Sequence, residues 1–75
     1  MMSFEEFEKN CEANGVTVLV IEQAGQHRLV LTYKDDGPFS YMIFCGDSFV
    51  ANMGDYIEAL GEFRRMVRED ERNIL

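Results

Sequence analysis

Apolar residues recur at helical spacing near the start of the chain. Three of them lie three or four positions apart, which places them on one face of a helix: Phe4, Phe7 and Cys11. The segment 3–6 (Ser-Phe-Glu-Glu) is a capping box, which is typical of a helix start. Asn14 and Gly15 form a helix stop, because glycine adopts a positive φ at little cost. The pattern therefore predicts a first helix from about Phe4 to Ala13.

The middle of the chain changes to the alternating pattern of β-strands. Three segments rich in β-branched and aromatic residues fit strands, at residues 16–21, 28–34 and 39–45. The first is apolar on both faces, so we expect it to be a central strand covered on both sides. The links between these segments are short, which favours an antiparallel meander. Residues 46–54 fit either a short helical turn or an extended piece.

Helical spacing returns after Gly54. Asp55 is a good N-cap, and Glu58 completes a capping box three residues later. The helix is predicted to run to about Arg72, with an apolar stripe formed by Tyr56, Leu60, Phe63 and Val67. Gly61 inside this helix costs about 1 kcal/mol relative to alanine. We expect the helix to tolerate that cost without a close contact at the glycine.

The resulting order of elements is α-β-β-β-α. It predicts a single compact domain over residues 1–75, of the α+β class, with a three-stranded antiparallel sheet and flanking helices. The predicted core combines the stripe of the second helix with Phe7, Val18, Val20, Leu29, Leu31, Ile43 and Phe44.

The strands carry more apolar side chains than two short helices readily cover. A homodimer, or a hydrophobic surface of a partner, would bury the excess. The competing arrangement is that Phe49, Val50 and Met53 fold over the second face of the sheet.

Charge is the strongest functional signal. The chain of 75 residues carries 14 acidic and 7 basic side chains, for a net charge of −7, while 47% of its residues are hydrophobic. This combination indicates a folded domain with a negative surface, not a disordered acidic tail. It excludes binding to nucleic acid by neutralisation of phosphates and favours a protein partner with a basic surface. The arginines near the C-terminus alternate with acidic residues, so they do not form a nucleic-acid-binding patch.

The residues that most often carry catalysis or bind metal are few. His27 lies at the mouth of the first hairpin, where a surface histidine is ordinary. Cys11 and Cys45 have no histidine nearby in sequence and no zinc-finger spacing, so we interpret both as free buried thiols. No glycine-rich phosphate loop is present. We therefore expect no enzymatic activity, no metal and no cofactor. A small hydrolase is a distant alternative, which would need an acid pair such as Asp47 and Asp55.

The candidate partner-binding residues are carboxylates. They are Asp35, Asp36, Asp47, Asp55, Glu58 and Glu62. Glu58 and Glu62 are four apart on a helix, which places them about 6 Å apart, close to the spacing of phosphates along one DNA strand. A rigid fold with such a spacing can occupy a basic nucleic-acid channel. The alternative is a solvated surface that aids solubility, with some acids compensating helix dipoles. Turn chemistry explains Asp35 and Asp36 better than a calcium loop does.

Two features of the sequence predict the cellular location. Residues 1–10 are acidic and lack the apolar region of a secretory leader. No apolar run approaches the ~20 residues that a membrane span needs. We expect a cytoplasmic protein with reduced cysteines, in the host cytoplasm if a phage encodes it.

The architecture resembles that of small acidic phage-encoded inhibitors, anti-CRISPR proteins among them. The resemblance rests on the capped helix, the three strand segments and the acidic helix that begins at Asp55. It implies an inhibitor that mimics DNA with an acidic face and blocks a Cas effector. The element order also resembles the double-stranded-RNA-binding domain. That family relies on lysines at the start of its last helix, where residues 54–58 here (Gly-Asp-Tyr-Ile-Glu) have the opposite charge.

Two functions follow from the sequence. The leading one is a non-enzymatic inhibitor that binds a basic protein surface and blocks access of nucleic acid to an effector. The alternative is a dimeric structural or interaction module that meets its partner through an apolar surface.

Overall fold

The computed structural model describes residues 2–74, and the side chains of residues 2–72. The elements in chain order are α1 (Phe4–Ala13), β1 (Thr17–Ala24), β2 (His27–Tyr33), β3 (Ser40–Cys45), β4 (Ser48–Met53) and α2 (Tyr56–Ile74). The α+β class is confirmed. The prediction of three strands is wrong, because the sheet has four antiparallel strands. Within the described part of the chain, no helix is both long and apolar enough to cross a membrane.

The additional strand, β4, comes from the segment whose conformation the sequence left open. Residues Cys45 and Ser48 pair directly, so Gly46 and Asp47 form a two-residue hairpin turn, with Gly46 at φ 60°. A Gly-Asp pair between two strands is a hairpin signal. The register shifts opposite Ile43 and Phe44, which is a β-bulge that breaks the regular alternation in β4. That break explains why the period-2 pattern did not reveal the strand.

The sheet order is β1-β2-β3-β4, which places β1 at an edge. The expectation that β1 is central and covered on both sides is therefore wrong. In a meander each strand pairs with its sequence neighbours, so the first strand has only one. Three large apolar side chains of β1 are consequently exposed, Leu19 by 45%, Val20 by 41% and Ile21 by 37%.

Helix α2 packs on one face of the sheet. Its Ala59 and Phe63 are buried against Leu29 of β2 and Ile43 of β3. Partly buried side chains surround this cluster, among them Tyr41, Met53, Leu60, Met66 and Val67. Near the start of α2, the rings of Tyr56 and Tyr41 lie 5.6 Å apart. The amphipathic stripe of the sequence thus positions the helix across β2, β3 and β4.

Helix α1 packs on the opposite face through aromatic side chains. Phe4 is buried with Val30 and Phe44, and the ring centroids of Phe4 and Phe7 both lie 5.0 Å from that of Phe44. The predicted N-cap is confirmed, because the Ser3 hydroxyl accepts a hydrogen bond from the Glu6 amide at 3.1 Å. The caps and this small aromatic cluster hold α1 on the sheet.

The predicted core is right at its centre and wrong at its margin. Leu29, Ile43, Phe44 and Phe63 are buried, as expected. Half-buried are Phe7, Val18, Leu31, Leu60 and Val67. Val20 and Tyr56 are exposed by 41% and 40%, so their assignment to the core was wrong. The error at Val20 follows from the edge position of β1, which α1 covers only in part.

Three further expectations concern single residues. A Cβ on Gly61 would meet no atom within 4 Å, so this glycine is tolerated without a close contact, as expected. Cys11 and Cys45 are free thiols, and both are half-buried instead of buried. His27 is not a surface residue, because only 7% of it is exposed. Its Nδ1 lies 3.7 Å from a carboxylate oxygen of Asp70 on α2.

Candidate partner-binding surface

The turn between β2 and β3 presents two of the candidate carboxylates. The Gly37 amide donates a hydrogen bond to the Lys34 carbonyl at 3.1 Å, which closes the turn. Asp35 and Asp36 are its two central residues, and both are exposed. Aspartate is favoured in such turns because it tolerates the required backbone angles.

The start of α2 brings two more carboxylates to the same end of the sheet. Met53, the last residue of β4, pairs with Tyr41 near the start of β3, and Asp55 follows directly. The Asp55 carboxylate accepts a hydrogen bond from the Glu58 amide at 2.9 Å, so its role as N-cap is confirmed. The Glu58 side chain is exposed. The backbone of Asp55 and Glu58 is therefore held in place by the capped first turn of α2.

Glu12 in the last turns of α1 completes this group, although the sequence did not mark it as a candidate. A groove of about 410 Å³ is lined by Glu12 and Asp35, with residues 15–18 between them. The two carboxylates come together because Thr17, at the start of β1, pairs with Tyr33, at the end of β2. We call Glu12, Asp35, Asp36, Asp55 and Glu58 the acidic end of the molecule.

Glu62 is one helical turn beyond Glu58, but its charge is already paired. The Arg65 guanidinium donates hydrogen bonds to Glu62, and it donates to Glu69 at 2.8 Å. The hydrogen bond from Arg65 lowers the pKa of the Glu62 carboxyl below its ordinary value. From Glu62 to Arg72 the four arginines balance the four acidic residues. The outer part of α2 therefore adds nothing to the net negative charge.

Asp47 lies at the opposite end of the sheet and has a structural contact. One of its carboxylate oxygens accepts a hydrogen bond from the Phe4 amide, in the first turn of α1, at 2.9 Å. The whole of β4 separates Asp47 from Asp55. At about 3.3 Å per strand residue, this places the two acids on the order of 20 Å apart. They cannot act as an acid pair, so the hydrolase alternative loses the residues it needed.

The contact of Asp47 gives a stability prediction. We expect Asp47→Ala to lower the free energy of unfolding by about 1 kcal/mol, because one amide at the start of α1 loses its acceptor. Asp47→Asn keeps an acceptor oxygen and should cost less. Asp36→Ala, on an exposed turn, is the matched control and should leave the urea midpoint nearly unchanged. Equal midpoints for Asp47→Ala and Asp36→Ala would contradict a structural role for Asp47.

The chemistry available outside the carboxylates is limited. Burial raises the pKa of the Cys11 thiol, which favours the protonated and less nucleophilic form. His27 is buried beside Asp70 of α2, and in the sheet it pairs directly with Cys45 of β3. Among the described residues, no group of three or more His, Cys, Asp or Glu side chains is arranged to hold a metal ion.

No known protein family, curated protein or solved structure matches this chain.

Proposed function

We propose that this protein is a non-enzymatic inhibitor that binds a basic protein surface through its acidic end. The partner surface we propose is one that normally binds nucleic acid, as the resemblance to small phage-encoded inhibitors implies. By occupying that surface, the protein would exclude the nucleic acid. The observation that carries the proposal is the uneven distribution of charge over the fold.

More than half of the net negative charge lies at the acidic end, where five carboxylates and Lys34 give −4 of the total of −7. The acidic end gathers five carboxylates from α1, the β2–β3 turn and the start of α2, with Lys34 beside them. The outer part of α2 is neutral overall and internally paired through Arg65. A partner with a positive surface is therefore attracted most strongly to one end of the molecule.

The backbone at this end is fixed by local hydrogen bonds. The closed turn at Lys34–Gly37 and the cap at Asp55 hold the backbone that carries Asp35, Asp36 and Asp55 without help from a partner. Less conformational entropy is then lost on binding, which favours affinity. Complementary charge also raises the association rate and makes it sensitive to salt. These properties suit a protein that competes with a polyanion for the same basic groove.

The test is a pull-down from host-cell lysate with three forms of the protein as bait. The wild type is compared with Asp36→Lys/Glu58→Lys, which reverses two charges at the acidic end. The control is Glu5→Lys/Glu71→Lys, which makes the same change in net charge elsewhere on the surface. We expect wild type and control to retain a basic protein that high salt releases. The acidic-end variant should bind it at least about tenfold more weakly, mostly through slower association.

Two outcomes of the pull-down would contradict the proposal. If both double variants retain the protein as well as wild type does, the acidic end is not the contact. If both lose it equally, net charge acts without a defined site. Circular dichroism of all three forms checks that the fold is intact. Added nucleic acid should compete with the wild-type protein for the retained partner, and failure to compete would contradict the blocking mechanism.

One observation favours the second candidate function, an interaction module that binds through apolar surface. Among the described side chains, nine large hydrophobic ones are exposed by 37% or more, including three consecutive ones in β1. Solitary exposed apolar residues are ordinary, but a run of three at a sheet edge is not. Retention of the same partner by all three baits at high salt would support this module over the inhibitor.

A further inference from the structure

The free edge of β1 differs from the edges that monomeric proteins usually present. With eight residues β1 is the longest strand of the sheet, and it pairs only with β2. Residues 16–21 contain no charged residue and no proline, the two devices that most often protect an edge from pairing with another chain. Thr17 to Val20 pair regularly with β2 before the bulge that precedes Glu22. This stretch offers regular, unprotected backbone.

Helix α1 packs partly over β1 and half-buries Val18, but both helices leave Leu19, Val20 and Ile21 exposed. Leu19 pairs with Leu31, which places it on the face of α2, while Val20 pairs with Val30, which places it on the face of α1. Helix α2 packs over β2, β3 and β4 and meets β1 at Ala24. Leu19 and Val20 are consequently exposed on opposite faces of the same edge.

Strand β1 can pair with the β1 strand of a second copy about a two-fold axis that passes through Leu19. In an antiparallel pair of two copies, Leu19 lies opposite Leu19 of the second copy, and Val18 lies opposite its Val20. Directly opposite residues in an antiparallel pair point to the same face of the sheet. The pairs Leu19–Leu19 and Val18–Val20 therefore join apolar side chains, while Thr17 lies opposite Ile21, and the two-fold symmetry closes after two copies.

The size of the exposed surface agrees with one additional interface. The accessible surface is 5203 Å². A monomer of 8.7 kDa is expected to expose about 4,700 Å², so each copy carries an excess of roughly 500 Å². Two copies together approach the ~1,000 Å² that the smallest specific interfaces bury.

We infer that the protein forms a symmetric homodimer in which two β1 strands pair antiparallel about Leu19, giving one continuous eight-stranded sheet. Both copies of α2 lie on one face of this sheet and both copies of α1 on the other. The five carboxylates of the acidic end lie outside β1, so the dimer does not rest on the proposed inhibitor function, although the groove between Glu12 and Asp35 adjoins β1 at Thr17 and Val18.

Charge gives the dimer a signature opposite to that of the partner complex. Each copy has a net charge of −7, so two copies repel each other and salt screens the repulsion. Dimerisation should strengthen as salt rises, whereas binding to a basic partner should weaken. The two proposals can therefore fail separately in the same titration.

The first experiment measures mass by sedimentation at micromolar to submillimolar concentration. We expect wild type to approach twice 8.7 kDa as concentration rises, with a lower dissociation constant at higher salt. Leu19→Lys places a charge on the edge and should remain monomeric at every concentration. Val50→Lys is the matched control, since Val50 is 43% exposed on the other edge strand, β4, and it should dimerise like wild type.

The second experiment uses cross-linking and does not depend on the lysine variant remaining folded. In a background with Cys11→Ala and Cys45→Ala, Leu19→Cys should form a disulfide-linked dimer on mild oxidation. Opposed Cβ atoms of an antiparallel pair lie about 4.5–5.5 Å apart, close to the separation that a disulfide spans. Val50→Cys in the same background should stay unlinked.

A mass of 8.7 kDa for wild type over the whole concentration range would overturn the dimer. So would a dimer that survives Leu19→Lys, or one that only Val50→Lys disrupts, because β4 would then be the interface. Efficient linking of Val50→Cys without linking of Leu19→Cys leads to the same conclusion.

Discussion

Phe63→Ala should lower the free energy of unfolding by about 3–5 kcal/mol, because truncation of a buried phenylalanine removes apolar contacts and leaves a cavity. Phe63 is only 3% exposed and lies in the buried cluster with Leu29, Ile43 and Ala59. At about 0.05–0.15 kcal/mol per residue, a chain of 75 residues has a total stability of roughly 4–11 kcal/mol. The variant should therefore be marginally folded or unfolded in water.

The measurement is urea unfolding followed by circular dichroism. Leu60→Ala is half-buried beside the same cluster and should cost less than Phe63→Ala. Ile57→Ala is the surface control, since Ile57 is 71% exposed, and it should stay within about 0.5 kcal/mol of wild type. Equal midpoints for Phe63→Ala and Ile57→Ala would contradict the packing of α2 through Phe63.

Phe44→Ala should have an effect of similar size on the opposite face of the sheet. Phe44 is 3% exposed, and its ring contacts those of Phe4, Phe7 and Phe49 at centroid distances of 5.0, 5.0 and 5.9 Å. The expected loss of stability, about 3–5 kcal/mol, includes the loss of these aromatic pairs, each worth about 0.5–1.5 kcal/mol. Where the variant remains folded, we expect α1 to detach before the rest of the fold.

Hydrogen exchange of individual amides checks this second prediction. The amides of α1 should lose protection in Phe44→Ala, while those of β2 and α2 keep more of theirs. Phe49→Ala is the matched control, because Phe49 belongs to the same ring cluster but is 54% exposed. A Phe49→Ala variant as unstable as Phe44→Ala would show that Phe44 is not the centre of the cluster.

The sequence predicted both helices well, because helix caps and apolar stripes depend only on residues that lie close together in the chain. Ser3 and Asp55 cap the two helices as expected, and the stripe through Phe63 determines which face of α2 is buried. Strand order and bulges depend on pairing, which the period-2 pattern does not report. The bulge in β4 interrupts the period-2 pattern of that strand, and the apolar residues on both faces of β1, which predict a buried central strand, lie at an exposed edge.

The candidate site was predicted only in part for the same reason. Asp35, Asp36, Asp55 and Glu58 do lie at one end of the sheet, as the order of strands requires. Glu12 was missed because its approach to Asp35 depends on the pairing of β1 with β2. The other two candidates have contacts that spacing alone does not reveal: Asp47 binds the amide of Phe4, and Glu62 binds Arg65.

The central claim is that a basic partner meets the acidic end and not the acidic residues in general. An oligo-arginine peptide is a direct probe of this claim, titrated into labelled protein and followed by NMR at low salt. We expect amide shifts to concentrate at Glu12, Asp35, Asp36, Asp55 and Glu58 and to disappear as salt rises. Shifts of equal size along residues 62–72, or shifts centred on β1, would contradict the claim.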